Sequence, residues 1–245
     1  MPLGGAAAVI RLVAEAAQIR GDTVLLRADQ VHYLERVMRR PRGTRIVVLT
    51  PDGPRWGRWT ERTALVLEEA APRVKPPRLS VGIAQALLKG DRFREVVDRG
   101  TQVGVAAFQP LVTARSVVRS ASSDRIDRWR RVAREAAEQC GRADVPVVAD
   151  PIALSGWDPA TPIIALEPGG PPLFRQYVAL GAPDRLWLLV GPEGGLAPAE
   201  LEPFRAAGRV AGCGAYVLRA ENAGAMAALL LLQWVEWAAA DGPPA

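Results

Sequence analysis

A chain of 245 residues is long enough for one large domain or two modest ones. Its 49% apolar and 23% charged content is that of an ordinary globular protein and excludes disordered and fibrous classes. The net charge of +5 is unevenly spread: residues 1–75 hold 13 Lys+Arg against 8 Asp+Glu, and residues 76–245 hold 18 of each, so the whole excess sits in the first third and suggests a polyanionic partner there.

The start of the chain reads as no signal peptide: residues 3–10 are rich in Gly and Ala, without a basic flank or a strong apolar centre. Residues 1–72 read as a small β-rich domain with strands at 24–26, 45–49 and 63–67, and turns at Arg42-Gly43 and Pro51-Asp52-Gly53-Pro54. Between the first two strands, 30–39 reads as a helix that carries His32, the sole histidine. Arg36, Arg39, Arg40, Arg42 and Arg45 make the densest basic cluster, either a nucleic-acid contact or a solvated face. Trp56 and Trp59 lie on the ribbon after the second turn, as strand packing or as stacking surfaces for bases.

Residues 71–77 hold three prolines and two cations and read as a linker, with 73–77 its centre. From residue 78 onward strands alternate with helices, the pattern of an α/β domain. Strands are expected at 79–86, 103–108, 163–166, 186–190 and 216–218, and helices at 91–99, 123–140, 198–207 and 222–239. Ser123 and Asn222 are the expected N-caps. The longest apolar run, 223–232, is shorter than the roughly 20 residues that span a bilayer. The tail 241–245 reads as disordered.

Cys140 and Cys213 are far apart, form no CxxC pair and lack histidine company, so a zinc site is not expected. A Ser-His or Cys-His pair would rest on His32 alone, in a segment remote from the glycine-rich turns. The most informative run is Leu188-Leu189-Val190-Gly191-Pro192-Glu193-Gly194-Gly195-Leu196, a buried strand that stops in a glycine-rich turn. Ligands of α/β proteins sit beyond such strand ends, and glycine lets the backbone approach them closely. The run fits neither GxGxxG nor GxxxxGK[ST], so a dinucleotide or NTP reading lacks its anchor. A second segment runs Gly212-Cys213-Gly214-Ala215-Tyr216-Val217-Leu218-Arg219-Ala220-Glu221-Asn222-Ala223, bringing an arginine, an acid and an amide to a helix N-terminus. Glu138 and Arg142 lie one turn apart near the end of the long helix.

Taken in order, 86–92, 109–117, 135–142, 190–196 with Glu200, and 217–223 resemble the RsmE family of ribosomal RNA methyltransferases, and 32–39 resembles its basic leader. The likeness covers nearly the whole chain, and Gly-Pro-Glu-Gly-Gly combined with Leu-Arg-Ala-Glu is its most specific part. It implies an α/β SPOUT methyltransferase domain with a trefoil knot over 78–245, preceded by a small PUA-like β-barrel over 1–72. It also implies S-adenosylmethionine as cofactor, N3 of a uridine in 16S rRNA of the small subunit as target, a cytoplasmic homodimer joined through the C-terminal domain, and neither metal nor membrane. Cofactor contacts are expected from Leu166, Glu167, Gly191, Pro192, Glu193, Gly194, Gly195, Leu196, Cys213, Gly214, Val217, Leu218, Asn222 and Ala223. Arg219 is expected to stabilise the uridine anion, with Glu221 and Glu138 as candidates for proton removal. RNA contacts are expected from Arg36, Arg39, Arg40, Arg42, Lys89, Arg115 and Arg142. The chain departs from the family pattern at Asn222 (threonine expected), Gln102 (glutamate) and Cys213 (leucine). Competing readings are a SPOUT enzyme acting on tRNA or another RNA, a non-catalytic RNA-binding homologue and, more distantly, a dehydrogenase. The apolar closing helix, with Met226, Leu229, Leu230, Trp234 and Trp237, is expected to contribute to the dimer interface.

Overall fold

A computed structural model describes residues 9–241. The expectation for the tail beyond 241, and most of that for the N-terminal segment, lies outside the described residues. The chain is α/β and divides into two compact units. One comprises the residues up to Lys75 together with Ala137–Asp144, the other Pro76–Ala136 and the residues from Val145.

The first unit is built on a six-stranded sheet. Its strands are β1 (Arg11–Val13), β2 (Ile19–Arg20), β3 (Thr23–Leu25), β4 (Arg45–Thr50), β5 (Gly53–Glu61) and β6 (Ala64–Ala70). Their order is β1-β4-β5-β6-β3-β2, with β1 parallel to β4 and the other neighbours antiparallel. The β4–β5 hairpin closes at Pro51-Asp52, where Thr50 pairs with Gly53. Between β3 and β4, α1 (Ala28–His32) runs into a wider π-helical turn over Tyr33–Val37. Alternation along β4 and β6 turns Ile46, Val48, Leu65 and Leu67 inward, against Leu12, Val24 and Leu34. Trp59 is 1% exposed and belongs to this core, which removes it as a surface for bases. Trp56 is half-buried, and the Arg45 guanidinium lies 4.6 Å from its ring centre.

In the second unit the elements are β7 (Ser80–Ala86), α2 (Arg92–Val103), β8 (Ala107–Val112), α3 (Ser123–Cys140), β9 (Val147–Val148), β10 (Ile152–Ala153), β11 (Ile163–Leu166), α4 (Leu173–Ala179), β12 (Arg185–Val190), α5 (Pro198–Ala206), β13 (Val210–Ala211) and α6 (Ala220–Asp241). The last turn of α3 groups with the first unit. The sheet is parallel throughout, in the order β10-β8-β7-β12-β11-β13, with β9 also paired to β8. Both its faces are covered, which is why β11 and residues 186–190 of β12 read as unbroken apolar runs rather than alternating ones. On one face Ile83 and Leu188 pack with Phe93, Phe108, Trp129, Ala227 and Leu231. On the other Ala84, Ala165 and Leu189 pack with Leu111, Leu196 and Leu201. By length and apolarity α6 would suffice to cross a membrane, a possibility the ten-residue run did not raise, yet its Ala227, Ala228, Leu231 and Leu232 lie in this core.

Several expected boundaries move. Residue 103 ends α2 rather than beginning a strand, because Gly104 takes a left-handed conformation, stops the helix and leaves the strand to start at Ala107. The strand expected at 216–218 is an irregular loop. Tyr216 and Val217 are 90% and 77% exposed, so their β propensity meets no packing surface, and pairing occurs instead at Val210–Ala211. Helix α6 begins before Asn222: the Arg219 carbonyl accepts from the N–H groups of Asn222 and Ala223, placing Asn222 inside the first turn. Ser123 is already helical, and it is the Ser122 hydroxyl that accepts from the Arg125 N–H, at 3.4 Å. β1, β9, β10 and α4 were not expected.

Candidate active site

Parallel strands end together, and three adjacent ones, β12, β11 and β13, feed three loops over the same edge of the sheet. Those loops surround a cleft of about 640 Å³. β11 contributes Leu166 and Glu167, followed by Pro168. The turn after β12 contributes Gly191, Pro192, Glu193, Gly194, Gly195 and Leu196. Beyond β13 come Cys213, Gly214, Tyr216, Val217, Leu218 and Arg219, and the start of α6 adds Glu221 and Ala223. Arg92, at the start of α2, and Arg115, from the loop after β8, complete the wall.

The glycines explain the close fit of these loops. A Cβ on Gly191 would stand 2.9 Å from the Gly195 carbonyl carbon and the Leu196 nitrogen, so the turn folds back on its own backbone. A Cβ on Gly212 would lie 2.6 Å from the Gly170 oxygen, where Gly212 N–H donates to the Pro171 carbonyl at 2.8 Å. Two of the three loops therefore lock together through bare backbone.

Side chains then fasten the first turn from outside. The Glu193 carboxylate accepts from the Lys89 N–H at 3.2 Å and stands 3.5 Å from the Arg92 guanidinium. Arg115 donates to the Gly194 carbonyl at 2.9 Å. Glu200 accepts from the N–H groups of Ala114 (2.7 Å) and Ala197 (2.9 Å), tying the base of α5 to the loop after β8. Glu193 thus braces the turn.

The opposite wall carries uncommitted polar side chains. Arg219 is exposed at the cleft. Glu221 is 5% exposed, and its Oε2 is buried with no hydrogen-bond partner among the described residues. A carboxylate oxygen left so costs free energy until a donor reaches it. Burial pushes the Cys213 thiol from 9.0 up to about 11, so it lines the cleft as a neutral, weakly polar group.

Other expected residues stand elsewhere. Asn222 does not line the cleft; its amide oxygen accepts from the Arg99 guanidinium, which also pairs with Glu95 at 2.7 Å. Glu138 belongs to the first unit, where it accepts from the Val13 N–H at 2.6 Å. There it also contributes, after burial, to holding the Tyr33 hydroxyl above its usual range. Arg142 pairs with Asp144 at 2.7 Å and has a side chain only 14% exposed. Lys89 is exposed, as are Arg36, Arg39, Arg40 and Arg42, the last 3.7 Å from Glu35. Reading the sequence did not single out Arg92 or Tyr216. The signal for Arg92 was present: a cation opening a helix just beyond β7, the strand beside β12.

With this geometry in place, comparison with known proteins identifies the class. The RNA methyltransferase domain family matches residues 75–233, and the chain belongs to it. Among its relatives, ribosomal RNA small subunit methyltransferase E of Synechocystis is 33% identical over 225 residues, covering 87% of this chain and 74% of the relative. The protein of the same name from Bacillus subtilis is 31% identical, covering 82% and 86%. A crystal structure of ribosomal RNA small subunit methyltransferase E from Neisseria gonorrhoeae, bound to S-adenosyl methionine, shares the fold with a TM-score of 0.79 at 24% identity over 93% of this chain and 98% of that one.

Proposed function

We propose that this chain is an S-adenosylmethionine-dependent methyltransferase that acts on N3 of a uridine in 16S rRNA of the small ribosomal subunit. The observation that carries the reading is the cleft, where a glycine-lined, backbone-rich wall faces an unpartnered buried carboxylate and an exposed arginine. The fit to the cofactor rests on the same residues: a pocket whose turn closes on its own backbone at Gly191 and whose neighbouring loops meet at Gly212, with Leu166, Leu196, Val217 and Leu218 as its apolar lining. When bound, S-adenosylmethionine supplies a methyl group on a sulfonium, whose carbon–sulfur bond breaks as the bond to N3 forms.

The rest of the work falls to the chain. Uridine N3 carries a proton with a pKa well above neutrality, so proton removal or anion stabilisation is required. Glu221, with one oxygen unpartnered, accepts that proton, and Arg219 stabilises the charge that develops on the uracil or holds its phosphate. Glu138, already engaged by Val13, is left to brace the first unit. Arg92 and Arg115 present further cations at the cleft for the RNA backbone. Arg36, Arg39, Arg40 and Arg42 of the first unit supply a sequence-independent grip. On this reading the first unit is a PUA-like barrel and the second a knotted SPOUT domain, working where ribosomal subunits are made, in the cytoplasm.

The same reading makes the protein a homodimer. Met226, Leu229, Leu230 and Trp237 of α6 are exposed, alongside Phe174 and Val178 of α4. Phe174 stacks on Trp234 at 5.7 Å, extending the apolar surface. Radiolabel transfer from S-adenosylmethionine to small subunits lacking the modification tests the function. The reading expects incorporation that Arg219→Ala cuts by about 10²-fold or more; none above that control would overturn it.

A further inference from the structure

Gln85 lies in the middle of the longest unbroken buried stretch among the described residues, Val81 to Leu88, and is itself fully buried. The other buried glutamines, Gln18 and Gln30 in the first unit, are satisfied by each other and by backbone groups. Gln85 is different. Its Nε2 lies 3.1 Å from the Gly191 carbonyl oxygen, 3.3 Å from that of Ala86 and 3.5 Å from that of Val190. Its Oε1 is buried with no partner among the described residues. With three acceptors around one end of the amide, its orientation is determined: the nitrogen must face the carbonyls, and the oxygen must go without a donor.

Packing gives no reason for this arrangement. Leucine or methionine would occupy nearly the same volume in this strand without an unpartnered side-chain oxygen. The reason lies at the strand end. The register pairs Gln85 with Val190, the last residue of β12 and the one before the cleft-lining turn begins. Where two parallel strands finish, their last carbonyls lose their ladder partners. The Gln85 amide supplies a donor there, and its shortest contact is to Gly191, the first residue of the turn and part of the cleft wall. The buried end of the turn is therefore held by Gln85, as its exposed crest is held by the contacts of Glu193 with Lys89 and Arg92.

We propose that Gln85 is a positioning residue for methyl-donor binding: by fixing the Gly191 carbonyl it presets the backbone of the turn, without touching cofactor or RNA itself. The proposal rests on the assignment of the cleft to S-adenosylmethionine. It predicts an uncoupling that a purely structural residue would not produce. Gln85→Met removes the unpartnered oxygen together with the donor to the strand-end carbonyls, effects of opposite sign, so the full-length variant keeps a thermal midpoint close to that of the wild type. It nonetheless binds S-adenosylmethionine about tenfold more weakly, the loss of one ordinary hydrogen bond. At saturating cofactor its kcat stays within about threefold of wild type, because Gln85 does not face the reacting atoms. Gln85→Glu, which sets acceptors against three carbonyls, binds more weakly still.

Calorimetric titration of the wild type, Gln85→Met and Gln85→Glu with S-adenosylmethionine, beside their melting curves, decides the matter, and Gln85→Leu serves if the methionine variant does not fold. Wild-type affinity in a folded Met or Leu variant would overturn the proposal, as would affinity and thermal midpoint falling together in both. Absence of binding by the wild type would instead overturn the cofactor assignment, and this inference would fall with it.

Discussion

The two walls of the cleft are made of similar material and held in opposite ways. Each is a glycine-bearing loop leaving a short parallel strand. The turn 191–196 is fastened at both ends: Gln85 holds it from within, and Glu193, Arg115 and Glu200 hold it or its flanks from outside. The loop 213–219 exposes Tyr216, Val217 and Arg219, and brings the unsatisfied Glu221 to the cleft. One wall has its hydrogen bonds made; the other keeps polar side chains uncommitted. This is the division expected where a site must present a fixed surface to one ligand and free groups to another.

Substitutions on the two walls should therefore fail differently. The largest effect is expected on the uncommitted wall. Glu221→Gln should cut methyl transfer by about 10²-fold or more, and Arg219→Ala by about 10²–10³-fold, with cofactor affinity changed little in either. Glu221→Gln should leave the melting temperature equal or higher, since it removes a buried unpaired charge. Single-turnover rates beside cofactor titrations separate these effects.

Gly191→Ala should act on the fastened wall. Its Cβ meets backbone rather than a flexible side chain, so the turn must open. We expect about 1–3 kcal/mol lost in stability and a cofactor affinity too weak to measure by calorimetry, even at temperatures where the protein remains folded. A bound cofactor at wild-type affinity would show that the turn is not a binding wall.

A smaller effect tests the basic first unit. Replacing Arg36, Arg39, Arg40 and Arg42 together by alanine should weaken RNA binding and flatten its salt dependence, by about one unit of slope for each arginine that meets a phosphate, while S-adenosylmethionine binds as before. The smallest effect concerns Cys213. Its thiol is held neutral up to about 11 when folded, against 9.0 in an unconstrained chain. The stability linked to that shift is intact below pH 9 and is lost as pH rises from 9 toward 11, because only the unfolded chain then gains by ionising. Cys213→Ser should remove that alkaline component from a stability–pH curve measured between 8 and 11.

What could be read from the sequence depended on how local the cause was. β11 and β12 were legible because a parallel strand covered on both faces is almost continuously apolar. The glycine turn after Val190 was legible because a strand ending in Gly-Pro-Glu-Gly-Gly leaves few other conformations. The segment 216–218 misled, since Tyr-Val-Leu has strand propensity but no neighbour to pair with. Asn222 misled because capping was taken by the carbonyl of Arg219 one turn earlier. Long-range partnerships were out of reach: Glu138 meets Val13 across 125 residues, Gln85 meets Gly191 across 106, and residues 137–144 join a unit otherwise complete by Lys75. No local pattern marks such pairs.

The cleft is proposed to direct a methyl group to a uridine of small-subunit rRNA. The most direct test is to incubate the protein with S-adenosylmethionine and unmodified small subunits, digest the RNA to nucleosides and identify the product by mass spectrometry. The expected product is N3-methyluridine, formed about 10²-fold more slowly when Glu221→Gln or Arg219→Ala replaces the wild type. A different methylated nucleoside, or N3-methyluridine formed equally well by both variants, would contradict it.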